Sequence, residues 1–105
     1  MSLEVAKTIK SQIIAADPLA LMSYGARKFC GADANKENYG WLSFTISNTY
    51  VYAQPVTVKI SLQFNDTYTV EVFRTRVGKV KLLNKKEDVY FNELVEVLDT
   101  FLEGK

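Results

Sequence analysis

The apolar positions change period along this chain, and each period points to a different element. From Leu3 to Ala16, Leu3, Ala6, Ile9 and Ile13 recur at three- and four-residue steps, with Lys7, Lys10 and Ser11 between them. That spacing gathers the apolar side chains on one stripe of a helix, with Ser2 placed to cap its start. Asp17-Pro18 then restarts the chain, because proline suits the first helical position and aspartate the cap before it. A short second helix is expected from Pro18 to about Tyr24, ended by Gly25.

Alternation takes over further on. Leu42, Phe44 and Ile46 share one parity, and Trp41, Ser43 and Thr45 the other. Val56, Val58, Ile60, Leu62 and Phe64 alternate with Thr57, Lys59, Ser61 and Gln63. A strand buried on one face requires this period of two. Tyr68, Val70 and Val72 continue the apolar face after Asn65-Asp66, a pair that tolerates the positive φ of a tight hairpin. Val77-Gly78 suggests a second turn, followed by a fourth strand carrying Val80 and Leu82. Arg27 to Gly31 has no clear period and is compatible with a short strand, while Asp33 to Asn38 is polar and expected to be a loop. Asp88 is positioned to cap a C-terminal helix whose apolar face is Tyr90 or Phe91, Leu94, Val95, Leu98, Phe101 and Leu102. The order of elements predicts a single α+β domain over 1–105. Its antiparallel sheet has about four strands, with the N- and C-terminal helices packed on one face.

Composition narrows the chemistry. The chain has 105 residues, no histidine and one cysteine. Nucleophilic triads ordinarily use histidine as base, and zinc sites use clusters of cysteine and histidine. Cys30 has no second cysteine with which to form an intrachain disulfide, so it is expected to be a small half-apolar residue in a reducing cytoplasm. The glycines, at 25, 31, 40, 78 and 104, do not space into a phosphate-cradling loop. Glu93 and Glu96 sit at helical spacing among other acids and read as a solvated helix face. No metal, cofactor or catalytic residue is expected, and no membrane span or signal peptide is visible.

Charge is segregated although the net is only +1. Arg74, Arg76, Lys79, Lys81, Lys85 and Lys86 form a stretch without acids. Glu87, Asp88, Glu93, Glu96, Asp99 and Glu103 follow in a stretch without bases. Such adjacent segments can neutralise each other, and with an exposed strand edge they allow a symmetric homodimer. Phe73 has the parity opposite to Val70 and Val72. Phe73, Lys79 and Lys81 are therefore expected on one outer face, and with Arg74, Arg76, Lys85 and Lys86 they form a candidate nucleic-acid surface. A second candidate surface is the aromatic group Tyr39, Trp41, Tyr50 and Tyr52. Trp41 lies off the core parity, and tryptophan and tyrosine are favoured anchors of protein interfaces.

Three stretches carry a resemblance. They are Ala20-Leu21-Met22-Ser23-Tyr24-Gly25-Ala26-Arg27-Lys28-Phe29, then Asn65-Asp66-Thr67-Tyr68-Thr69-Val70-Glu71-Val72-Phe73-Arg74-Thr75-Arg76, and the closing Val89-Tyr90-Phe91-Asn92-Glu93-Leu94. From about Leu19 onwards the chain resembles a group of small proteins of tailed bacteriophages and prophages that have no established activity. The polar Gly31 to Gly40 loop is longer here than that pattern. The resemblance implies a setting, the cytoplasm of a bacterial host, rather than a mechanism. Small phage proteins without catalytic residues often act by occupying a surface on a host or phage protein, defence and replication machinery included. A non-enzymatic protein-binding accessory factor is therefore the first expectation, and a nucleic-acid-binding protein using the basic strands 73–86 the alternative.

Overall fold

A computed structural model describes residues 4–34, 36, 38–47, 55–76 and 78–104, without the side chains of Thr75 and Arg76. The elements run α1 (Glu4–Ala16), α2 (Ala20–Tyr24), β1 (Arg27–Ala32), β2 (Gly40–Ile46), β3 (Val56–Leu62), β4 (Tyr68–Arg76), β5 (Lys79–Val89) and α3 (Leu94–Glu103). The five strands form one sheet in the order β1-β2-β3-β4-β5, and every neighbouring pair is antiparallel.

The expected α+β architecture is present, with five strands rather than about four. The additional strand is β1. It pairs with β2, but its register slips between Arg27 and Cys30, and Lys28 adopts a φ of 55°. An irregular edge strand exposed from Arg27 to Cys30 has no alternating signature to read.

One face of the sheet supplies the core. Leu42, Phe44, Ile46, Val56, Val58, Ile60, Val70 and Val72 are buried in a single cluster with Ala6, Ile9 and Ile13 of α1 and Leu94, Val97, Leu98, Phe101 and Leu102 of α3. Both amphipathic helices therefore cover the same face. Helix α1 sits close to the sheet where side chains are missing. A Cβ built on Gly31 would lie 2.6 Å from the Ala6 Cβ, and one on Gly40 would lie 3.0 Å from the Val5 Cβ. Two tyrosines tie helices to the rest. Tyr68 of β4 donates to Gln12 of α1 at 2.7 Å, and Tyr24 of α2 donates to Asp99 of α3 at 2.5 Å.

Several local expectations change. Asp17 does not cap α2, which begins at Ala20 with Leu19 as its N-cap; its carboxylate instead accepts from the Leu19 N–H at 3.1 Å, and Gly25 ends α2 in a left-handed conformation. The Ser2 cap lies outside the described residues. Phe64 is not in the core but 52% exposed. The β3–β4 turn begins at Gln63, whose carbonyl accepts from Asp66, and Asp66 takes a φ of 66°. This turn uses three residues, so Phe64 has already left the strand. Val80 and Leu82 are also exposed, because their pairing with Thr75 and Phe73 of β4 places them on the sheet face away from the helices. Asp88 belongs to β5, with a φ of 56°, and does not cap the last helix. A short 3-10 turn, Phe91–Glu93, leads into α3, and the Glu93 carboxylate accepts from the Tyr90 N–H at 3.1 Å. Tyr90 and Phe91 are exposed, and Val97 is buried while Val95 is half-buried.

Candidate functional site

Residues directly opposed across an antiparallel ladder lie on the same face. This rule lays out the sheet face away from the helices as three rows. Trp41 opposes Ser61, which opposes Thr69. Ser43, Lys59, Glu71 and Lys85 form the next row, and Thr45, Thr57, Phe73 and Leu82 the third. The side chains of Trp41, Ser43, Thr45, Thr57, Lys59, Glu71 and Phe73 are half-buried, whereas Leu42, Phe44, Ile46, Val56, Val58, Ile60, Val70 and Val72 on the inner parity are buried.

The centre of this face is a recess of about 360 Å³. Ser61 and Thr69 lie at its base, and Lys59, Glu71, Lys85 and Glu87 contribute to its walls. Ser61 is only 2% exposed. Trp41, next to Ser61, has the Lys59 ammonium 5.0 Å from its ring centroid, a cation–π contact. Beyond it, the Tyr39 N–H donates to the Leu62 carbonyl, and the Tyr39 ring meets Phe64 edge-on at 4.8 Å. Both rings are substantially exposed. The structure thus gathers Tyr39 and Trp41 near the Leu62 end of β3 and adds Phe64, which alternation alone assigned to the core. Tyr50 and Tyr52 lie outside the described residues.

The basic candidates divide differently from the expected pattern. Phe73 opposes Leu82, but Lys81 opposes Arg74 and Lys79 opposes Arg76. Lys79 and Lys81 therefore do not share a face with Phe73. They lie on the Arg74 side, the side of the sheet that bears the helices. The reason is the pairing of the hairpin itself: only the two positions Val77 and Gly78 separate Arg76 from Lys79, and Gly78 has a φ of 73°. The Arg74 Nε is buried without a hydrogen-bond partner among the described residues. Lys85 pairs with Glu87 at 3.0 Å, and that carboxylate raises the Lys85 ammonium above its ordinary range. Lys86 opens onto a smaller recess that it shares with Glu93 of the 3-10 turn and Glu96 of α3. Part of the basic stretch thus has acids beside it.

Among the described residues, no group of three or more histidine, cysteine, aspartate or glutamate side chains is placed to hold a metal ion. Cys30 is a free cysteine exposed on β1. No described helix is long and apolar enough to cross a membrane. Among the described residues, Tyr24 is the most perturbed titratable group. Burial first, and then its bond to Asp99, hold its hydroxyl far above the ordinary tyrosine range. This tyrosine joins α2 to α3 and does not open onto the outer face.

No protein-family model, curated protein or solved structure matches this chain.

Proposed function

We propose that this chain is a non-enzymatic, phage-type accessory protein that acts by binding a host or phage protein, such as a component of defence or replication machinery, in the bacterial cytoplasm. The observation that carries this reading is the outer sheet face. Trp41, Tyr39 and Phe64 stand at one end of it, beside a polar recess, and none of the described helices packs there. Aromatic anchors bordering hydroxyl, amide and charged groups of both signs are the composition of a protein-recognition surface.

Nucleic-acid binding through Phe73, Arg74, Arg76, Lys79, Lys81, Lys85 and Lys86 is the second reading. It is favoured by the cross-strand pairing of Arg74 with Lys81, which concentrates positive charge. It is weakened by the placement of Phe73 on the opposite face, since single-strand binders combine stacking and charge in one groove. Affinity capture with the tagged chain from phage-infected cells, with and without nuclease, separates the two. A partner retained after nuclease treatment and lost with Trp41→Ala supports protein binding. Capture that disappears on nuclease treatment supports the alternative.

A further inference from the structure

β5 is exposed along nearly its whole length. β5 ends the sheet, so no described strand pairs with the backbone groups on its far side. From Lys79 to Leu82 its register with β4 is unbroken. Val80 is 65% exposed and Leu82 46%. These two apolar residues fall on the outer face with Phe73, whereas Lys79 and Lys81 fall on the other face with Arg74. The edge therefore presents apolar side chains on one face and positive charge on the other.

We propose that the Lys79–Leu82 edge takes up an added strand from a partner protein, a segment that alternates acidic and apolar residues. The inference rests on the protein-binding reading above and specifies a mode of contact. Strand addition supplies main-chain hydrogen bonds, and alternate side chains supply specificity. An incoming strand shows its side chains to the two faces by turns. Its apolar residues would lie beside Val80 and Leu82, and its carboxylates beside Lys79 and Lys81. A second copy of this chain fits poorly. Antiparallel pairing of this segment with itself, with faces matched, sets Lys79 against Lys81 or Lys81 against its own copy, and like charges directly opposed are destabilising. Nucleic acid has no peptide backbone with which to extend the sheet. Towards the other end of β5, the register shift beyond Val72 and Phe73 and the positive φ of Asp88 interrupt a flat edge, which confines the contact to the hairpin tip.

The test uses two synthetic peptides of about six residues, a usual strand length: one alternating glutamate and valine, the other lysine and valine. Binding is read by amide hydrogen exchange along β5 and by titration. The glutamate peptide is expected to slow exchange at alternate amides within 79–82. Lys79→Glu combined with Lys81→Glu is expected to weaken that binding at least about ten-fold and to confer binding of the lysine peptide. This gain shows that the variant is folded. Absence of protection by the glutamate peptide, protection located elsewhere, or binding indifferent to the charge reversal would overturn the proposal. So would a dimer formed through this edge. If capture from cells survives the double reversal but is lost with Trp41→Ala, strand addition fails and protein binding stands. If no nuclease-resistant partner is captured while the peptide effects hold, the protein-binding reading fails instead.

Discussion

The Tyr24 hydroxyl donates a hydrogen bond to the Asp99 carboxylate, joining α2 to α3 across 75 positions of sequence. Neither residue belongs to the sheet, and the bond links the element that follows α1 to the one that closes the chain.

Tyr24→Phe removes a charge-assisted bond from a buried tyrosine and should cost about 1–3 kcal/mol at neutral pH. The alkaline behaviour has a definite sign. Burial holds the Tyr24 proton in the folded state well above the ordinary tyrosine pKa of about 10, and burial also raises Tyr68, against the lowering effect of its bond to Gln12. Above that ordinary value the unfolded chain loses protons that the folded chain keeps. Stability from this source is thus complete below about pH 10 and declines as pH rises further. Urea denaturation across alkaline pH should show the decline, and Tyr24→Phe should flatten it. An unchanged slope would show that ionisation of Tyr24 does not govern it.

Gly31→Ala should destabilise by about 1–3 kcal/mol, since the new methyl would overlap Ala6 and displace α1. Ala6→Gly in the same chain should recover part of the loss, net of about 1 kcal/mol for glycine within a helix. Thermal unfolding of the single and double variants gives the coupling. Strict additivity would show that the two positions do not compete for space.

Trp41→Ala should cost little stability, about 1 kcal/mol from the lost contact with Lys59, while removing at least ~2 kcal/mol of partner affinity. Denaturation and binding are to be measured on the same preparation. A large stability loss with unchanged affinity would make Trp41 a structural residue.

Single-stranded oligonucleotides should bind weakly and only at low salt. Fluorescence anisotropy across a salt series is the measurement. Tight binding at physiological salt, weakened uniformly by Arg74→Ala with Arg76→Ala and with a salt slope shallower by about two contacts, would reverse the order of the two functional readings.

How far the sequence could be read follows from where backbone regularity holds. β2 and β3 are unbroken, so Leu42, Phe44, Ile46, Val56, Val58 and Ile60 all lie on the face that alternation assigns them. Helix α1 buries Ala6, Ile9 and Ile13 as their spacing requires. Alternation fails where a turn or irregularity resets the count. The three-residue turn strands Phe64 outside, the register shift in β5 separates the parity of its two halves, and the positive φ of Lys28 erases the pattern of β1. The outer position of Trp41 was legible because β2 is regular. The contact of Tyr39 with Phe64 was not, because that depends on the turn. The division of Phe73 from Lys79 and Lys81 depends on pairing across a hairpin, which one strand's parity cannot give.

The strictly sequential strand order has a kinetic consequence. Each strand finds its partner in the strand before it, so the sheet can be assembled hairpin by hairpin without closing a long crossover. β3–β4 is a natural early pair, with five residues between the paired Leu62 and Tyr68 and a ladder that runs unshifted from Thr57 to Leu62. The late step is the meeting of the two chain ends, when α1 and α3 settle on the same face and Tyr24 reaches Asp99. Substitutions at the β3–β4 turn should therefore slow folding, whereas loss of the Tyr24 bond should chiefly hasten unfolding.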